Sequence, residues 1–142
     1  TTIGKAGSKE KFSEVDLTYP LALAKATLPL GATQYMLVSA LGADKSSSIF
    51  YNRVKGQVEE AISAEPFSAI HIFRPSLLMG PREEKRPGEE AAKFLYKYLG
   101  FLIPEKYKGI EARTVARAMQ EMASREQRGV FVHESKKMQE FA

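Results

Sequence analysis

Apolar residues along this chain come in short blocks, some continuous and some spaced near the roughly 3.6-residue helical repeat. Residues 1–13 are polar and rich in Gly, Lys and Ser, which predicts a loop. From Asp16 to Leu28 the apolar content (Leu17, Leu21, Ala22, Ala24, Leu28) predicts a helix, with Asp16 or Thr18 as N-cap. Pro20 fits its first turn, where a missing N–H costs little, and Gly31 fits just past its end. Gln34 to Ser39 is an apolar run ahead of Gly42 and predicts a buried strand. Ser46, Ser47 and Ser48 offer N-caps for a helix from Ile49 to Ala64. Its buried face is marked by Phe50, Val54, Val58 and Ala61, and Pro66 follows it. Phe67 to Phe73 predicts a second buried strand, followed at once by Arg74-Pro75.

Residues 75–88 hold Pro75, Gly80, Pro81, Pro87 and Gly88 and predict a long loop of the kind that carries function. Helices are predicted over Glu89–Leu99 and Thr114–Ala123, the second with Val115, Ala118, Met119 and Met122 inward. Gly129 to His133 predicts a third strand, and the tail from Ser135 a helix. This order of elements predicts an α/β fold with a parallel sheet. A doubly wound dinucleotide fold needs about six strands, and at roughly 30 residues per strand-plus-helix unit that is on the order of 180 residues. With 142 residues, the expectation is one domain over 1–142, the C-terminal portion of a doubly wound parallel-sheet Rossmann fold without its first strands. A small three-stranded domain, complete as written, is the alternative.

Composition narrows the picture. Hydrophobic content of 44% and charged content of 27% fit a globular protein with a core. There is no cysteine, which excludes disulfides, cysteine nucleophiles and thiolate-bound metals and suits a reducing cytoplasm, the expected location. No apolar run is long enough to span a membrane, and the start lacks the apolar core of a signal peptide. The net charge of +4 is mild and its lysines and arginines are scattered among acids, so nucleic acid is not an expected partner, and with no long apolar run neither is a membrane.

Tyr51 and Lys55 carry the sharpest chemical signal. Four residues apart on a helix, they share a face beside the buried stripe. A free phenol is a poor proton donor at neutral pH, and a nearby ammonium stabilises its anion. Tyr51 is then suited to protonate a carbonyl being reduced, or to deprotonate an alcohol being oxidised. The same ammonium can bind a ribose hydroxyl. Ser39 ends a strand, where ligands bind in open α/β sheets, and its hydroxyl can polarise the substrate oxygen. A Tyr/Lys pair at this spacing also arises by chance. The order of strand ending in Ser, glycine-containing loop, capped Tyr/Lys helix, strand and Arg-Pro is rarer.

Phe50-Tyr51-Asn52-Arg53-Val54-Lys55-Gly56 resembles the Y-x-x-x-K core of the short-chain dehydrogenase/reductase superfamily. Val38-Ser39-Ala40 resembles its catalytic-serine strand, and the stretch from Arg74-Pro75 to Gly80-Pro81-Arg82 its R-P-x-x-x-x-G-P segment. Ser39 to Lys55 as a whole is similar to an atypical branch, that of Tat-interacting-protein-type oxidoreductases and bacterial nucleoside-diphosphate-sugar epimerase-like proteins. Thr1-Thr2 and Gly4-Lys5-Ala6-Gly7 resemble that branch's segment after its fourth strand. The resemblance implies NAD or NADP as cofactor, NADP favoured, with hydride transfer near Tyr51. It implies that Ser39 and Tyr51 are catalytic and that Lys55 serves both catalysis and ribose binding. Pro75, Ser76, Leu77 and Leu78 would pass the nicotinamide, and Thr1 and Thr2 would lie near the cofactor's middle. The family's glycine-rich phosphate loop would precede Thr1. Gly4-Lys5-Ala6-Gly7 does not replace it, because no strand precedes it and the spacing is wrong. A chain of these residues alone is therefore expected to bind dinucleotide poorly and to fold poorly.

The expected function is an NAD(P)-dependent oxidoreductase or epimerase-like protein acting on a small carbonyl or alcohol substrate, with a homodimer as an open assembly. The alternative is a dinucleotide-binding regulatory protein that acts through protein partners without turnover. His71 and His133 lie within strands and read as structural, and no metal site is expected. Arg82 and Arg86 read as solvated loop residues. Phe94, Tyr96, Tyr98 and Phe101 read as helix packing.

Overall fold

The computed structural model describes residues 2–79 and 108–142. Three strands form its main sheet: β1 (Gln34–Val38), β2 (Ala69–Arg74) and, after a short parallel pair β3 (Leu78–Met79) and β4 (Ile110–Glu111), β5 (Gly129–Glu134). Their spatial order is β1-β2-β5, all parallel. β2 takes the centre because its Ala-Ile-His-Ile-Phe run is buried at every position. A strand covered on both faces must be apolar nearly throughout. The fold is α/β with a parallel sheet, as the pattern predicts.

The helices are α1 (Ile3–Ala6), α2 (Lys9–Ser13), α3 (Tyr19–Thr27), α4 (Phe50–Ser63), α5 (Ala112–Ala123) and α6 (Ser135–Met138). They lie on both faces of the sheet. Alternate strand residues point to opposite faces. Leu37, Ile70 and Ile72 meet Ala24 of α3 and Val58 and Ile62 of α4. Phe73 points the other way, into Val115, Ala118 and Met122 of α5 and Met138 of α6. Each such fully buried aliphatic or aromatic side chain contributes about 1.5–3 kcal/mol.

Several local expectations need correction. Residues 3–13 are largely helical, because Thr2 and Ser8 cap two short helices by accepting from the Lys5 and Lys11 N–H groups. The predicted helix therefore starts well before Asp16, which is not an N-cap. Between α2 and α3 the backbone widens into a π-helical segment, Glu14–Thr18, with the Tyr19 N–H reaching the Glu14 carbonyl. Pro20 supplies the reason: in a regular helix its ring would strike the carbonyl of Asp16. The α4 N-cap is Ile49 rather than a serine side chain, although Ser47 Oγ accepts the Ile49 N–H. Phe50 and Ala61 are only half-buried, and Lys55, Gly56 and Glu59 join Val54, Val58 and Ile62 on the buried side. Gly31 does end its helix with positive φ. The predicted helix over Glu89–Leu99, Arg82, Arg86 and the aromatic set from Phe94 to Phe101 lie outside the described residues.

The two histidines form a pair. His71 Nδ1 and His133 Nε2 are 3.0 Å apart across β2 and β5, with Phe73 and Phe131 stacked against them. Burial lowers the pKa of His71, and burial followed by the charges of His71 and Arg125 lowers that of His133. A folded-state pKa below the unfolded value of 6.5 means the unfolded chain takes up protons first. Stability from this pair is then complete above pH 6.5 and declines as pH falls toward the folded-state values. Urea unfolding of the full-length protein on either side of that pH should show the loss, and His133→Phe should flatten it. An unchanged slope in that variant would remove the pair as its source.

Candidate functional site

The loop between β1 and α4 is built to grip the helix. Gly42 turns the chain with φ 84°. Asp44 Oδ1 accepts the Ser46 N–H at 2.8 Å, and the Asp44 N–H donates to the Asn52 carbonyl at 3.0 Å. At Gly56 the two backbones cross: a Cβ there would lie 2.1 Å from Lys45 N and 2.3 Å from Asp44 C. Only a hydrogen fits. Gly56→Ala is expected to cost about 3 kcal/mol, the upper range for overpacking, because the obstacle is backbone rather than a side chain that can swing away. That corresponds to a Tm lowered by roughly 6–12 °C in a domain of this class. A thermal melt of the variant that matched wild type would refute the close crossing.

This grip sets α4, and α4 sets Tyr51 and Lys55. Both lie on one helix face, as their spacing predicts. Tyr51 is half-buried, its ring 5.6 Å from that of Phe12 and its face 5.9 Å from Lys55 Nζ. Lys55 is more enclosed than a pocket-edge residue. Its side chain is 10% exposed, and Nζ donates to Asp16 Oδ1 at 2.6 Å, with the Asp16 side chain 5% exposed. The π-helical segment brings Asp16 here, thirty-nine positions away in sequence. The sequence pattern suits Asp16, like Thr18, to an N-cap. The local signal is that Asp16 stands beside Leu17, which packs on the cluster formed with Val58 and Ile62 of α4. An ammonium carries three N–H donors. With one given to Asp16, two can serve Tyr51 and a further acceptor.

Ser39 follows β1 directly and is 5% exposed. Its N–H donates to the Phe73 carbonyl at 2.7 Å, and the Leu41 N–H donates to the Pro75 carbonyl at 2.9 Å, so pairing with β2 continues past the strand. The Ser39 hydroxyl is buried and has no hydrogen-bond partner among the described residues. Such an atom normally finds one, so it marks a place suited to a polar ligand atom. Pro75 is buried beside it. Ser76 Oγ is occupied by the Lys108 carbonyl and Ser135 Oγ, and Leu78 packs on the α5 cluster, while Leu77 is 60% exposed. Thr2 Oγ1 caps α1, and Thr1 lies outside the described residues. The structure thus puts Ser39 and Pro75 on neighbouring strand ends at the sheet's carboxyl end, and Tyr51 and Lys55 on the helix that the intervening loop grips, with Asp16 brought against Lys55 from the π-helical segment. Among the described residues there is no cluster of three or more potential metal ligands and no helix long and apolar enough to cross a membrane.

No protein-family profile matches the chain. It is 42% identical to protein fmp52, mitochondrial, of Emericella nidulans over 100 residues, 70% of this chain and 43% of that protein. It is 40% identical to protein HTATIP2 of Rattus norvegicus over 121 residues, 84% of this chain and 48% of that protein. The chain is similar to the fmp52 and HTATIP2 proteins. It spans just under half the length of these relatives. HTATIP2 among them supports the Tat-interacting-protein branch to which the Ser39–Lys55 motif points. The fmp52 similarity recurs at 40% identity in fmp52-1, mitochondrial, of Aspergillus terreus. These names overturn the cytoplasmic expectation. The physical reason is that lacking cysteines and lacking a long apolar run do not separate the cytoplasm from a mitochondrial compartment.

Proposed function

We propose that the protein carrying this chain is an NAD(P)-dependent oxidoreductase of the short-chain dehydrogenase type. One observation carries the reading: Tyr51 and Lys55 share a half-enclosed helix face with the ammonium against the phenol ring. The similarity to fmp52 and HTATIP2 supports it. In this reading Tyr51 hands its hydroxyl proton to a carbonyl oxygen, or takes the proton of an alcohol. Lys55 stabilises the phenolate left behind. The buried Ser39 hydroxyl, without a hydrogen-bond partner among the described residues, binds the same substrate oxygen and holds it against Tyr51. A bound nicotinamide supplies or accepts the hydride. A ribose hydroxyl would take the remaining Lys55 donor, and the ring would lie along the Pro75–Leu78 segment. Leu77 is the exposed member of that segment and the suited contact. A mitochondrial location accords with the fmp52 names.

The test uses the full-length protein. NADH and NADPH are titrated by nicotinamide fluorescence, and a panel of aldehydes, ketones and sugar-nucleotide carbonyls is then screened for loss of nicotinamide absorbance. Binding with turnover is the expected result. Binding without any turnover would favour the regulatory alternative, and a folded protein that binds neither nucleotide would end both.

A further inference from the structure

Charge ties α4 to its surroundings at two successive turns. Lys55 reaches Asp16, and four residues on, Glu59 meets Arg74. Arg74 Nε donates to Glu59 Oε1 at 3.0 Å and Oε2 at 3.2 Å, and Nη2 donates to Oε2 at 2.6 Å. The Glu59 side chain is 8% exposed. Arg74 Nη1 turns the other way, to Glu134 Oε1 at the end of β5. The hydrogen bonds of Glu59 hold the guanidinium's pKa above the ordinary arginine value. A planar two-pronged donor on a buried carboxylate fixes orientation as well as distance.

The place of this pair gives it a meaning beyond packing. Arg74 is the last residue of β2, immediately before Pro75. The carbonyls on either side of it, those of Phe73 and Pro75, hold the Ser39 and Leu41 N–H groups. One guanidinium therefore joins the helix of Tyr51 and Lys55 to the strand end that carries Pro75 and anchors Ser39. We propose that Glu59 and Arg74 are a positioning pair, which sets the separation between the Tyr51–Lys55 helix face and the Ser39–Pro75 strand ends. The proposal rests on the Ser39, Tyr51 and Lys55 reading of function, and touches no reacting atom itself.

Glu59→Gln keeps the shape and removes the charge, while Arg74→Lys keeps the charge and removes the fork. In the full-length protein each should lower kcat by about 10- to 100-fold, as small misplacements of reacting groups do. The Kd for NADPH should change far less than kcat, because the Lys55 and Pro75–Leu78 contacts tolerate a small shift that proton transfer between positioned groups does not. A readout without turnover is the 19F spectrum of the apo protein labelled with 3-fluorotyrosine, its Tyr51 line assigned by loss in Tyr51→Phe. That line should move in both variants. Unchanged kcat or an unmoved Tyr51 line in folded variants would overturn the proposal. So would parallel losses in kcat, nucleotide affinity and Tm, which would make the pair a strut of the fold alone. Should a single variant fail to fold, Glu59→Met/Arg74→Met removes both charges and strands neither, and wild-type kcat in that double variant would overturn the proposal equally. Tyr51→Phe run in parallel separates the two ideas. If it turns over like wild type, the reading of function fails. If it is inactive while Glu59→Gln is fully active, only the positioning role fails.

Discussion

Tyr51→Phe is expected to lower kcat for carbonyl reduction by about 10²–10⁴-fold, the range for loss of a positioned proton donor. The variant deletes one oxygen. The ring keeps its contact with Phe12, and Lys55 keeps its Asp16 partner. Nucleotide affinity should hold within about threefold, since an interaction made only in the transition state affects kcat and kcat/KM alike. Steady-state kinetics beside a nucleotide titration checks both. A kcat within a factor of two or so of wild type, on any substrate the full-length protein reduces, would take Tyr51 out of the chemistry.

Asp16→Ala should be the most damaging change to stability near the site. It leaves the Lys55 ammonium enclosed without its carboxylate, and breaking a buried pair in this way costs about 3–5 kcal/mol. For a domain of 150–250 residues that is a Tm drop of roughly 6–20 °C. The companion experiment is Asp16→Ala/Lys55→Met, which removes both charges and should recover most of the loss, because the burial cost of the pair goes with it. The two variants need only thermal melts. If Asp16→Ala melted with wild type, Lys55 would have another partner or free access to water, and the ion pair would not be what seats it.

Regular elements governed by side-chain rhythm were legible from the sequence. β2 and β5 follow from continuous apolar runs, and the inward face of α5 from Val115, Ala118 and Met122. The Tyr51–Lys55 face followed from spacing alone. What escaped was set by neighbours distant in sequence. Asp16 looks like a cap until the Pro20-driven widening of the helix is known, and its partner lies on another element. The pairing of Glu59 with Arg74 is not legible either, because nothing local says that the end of β2 lies under α4. β3 and β4 are two residues each, too short for any rhythm. The compartment is not legible, because composition does not encode it.

The crossing at Gly56 has a consequence for how the helix finds its place. Suppose α4 slid by one residue along the loop. Lys55 or Gln57 would then lie where Gly56 lies, and either would drive a Cβ into the Lys45 and Asp44 backbone. The loop therefore acts as a gauge that accepts α4 in a single register, keyed by the one residue with no side chain. Tyr51 stands five residues before that key and Lys55 one before it. The address of both proton-handling groups is thus written by an absent atom, and the K-G dipeptide joins placement to chemistry in two adjacent positions.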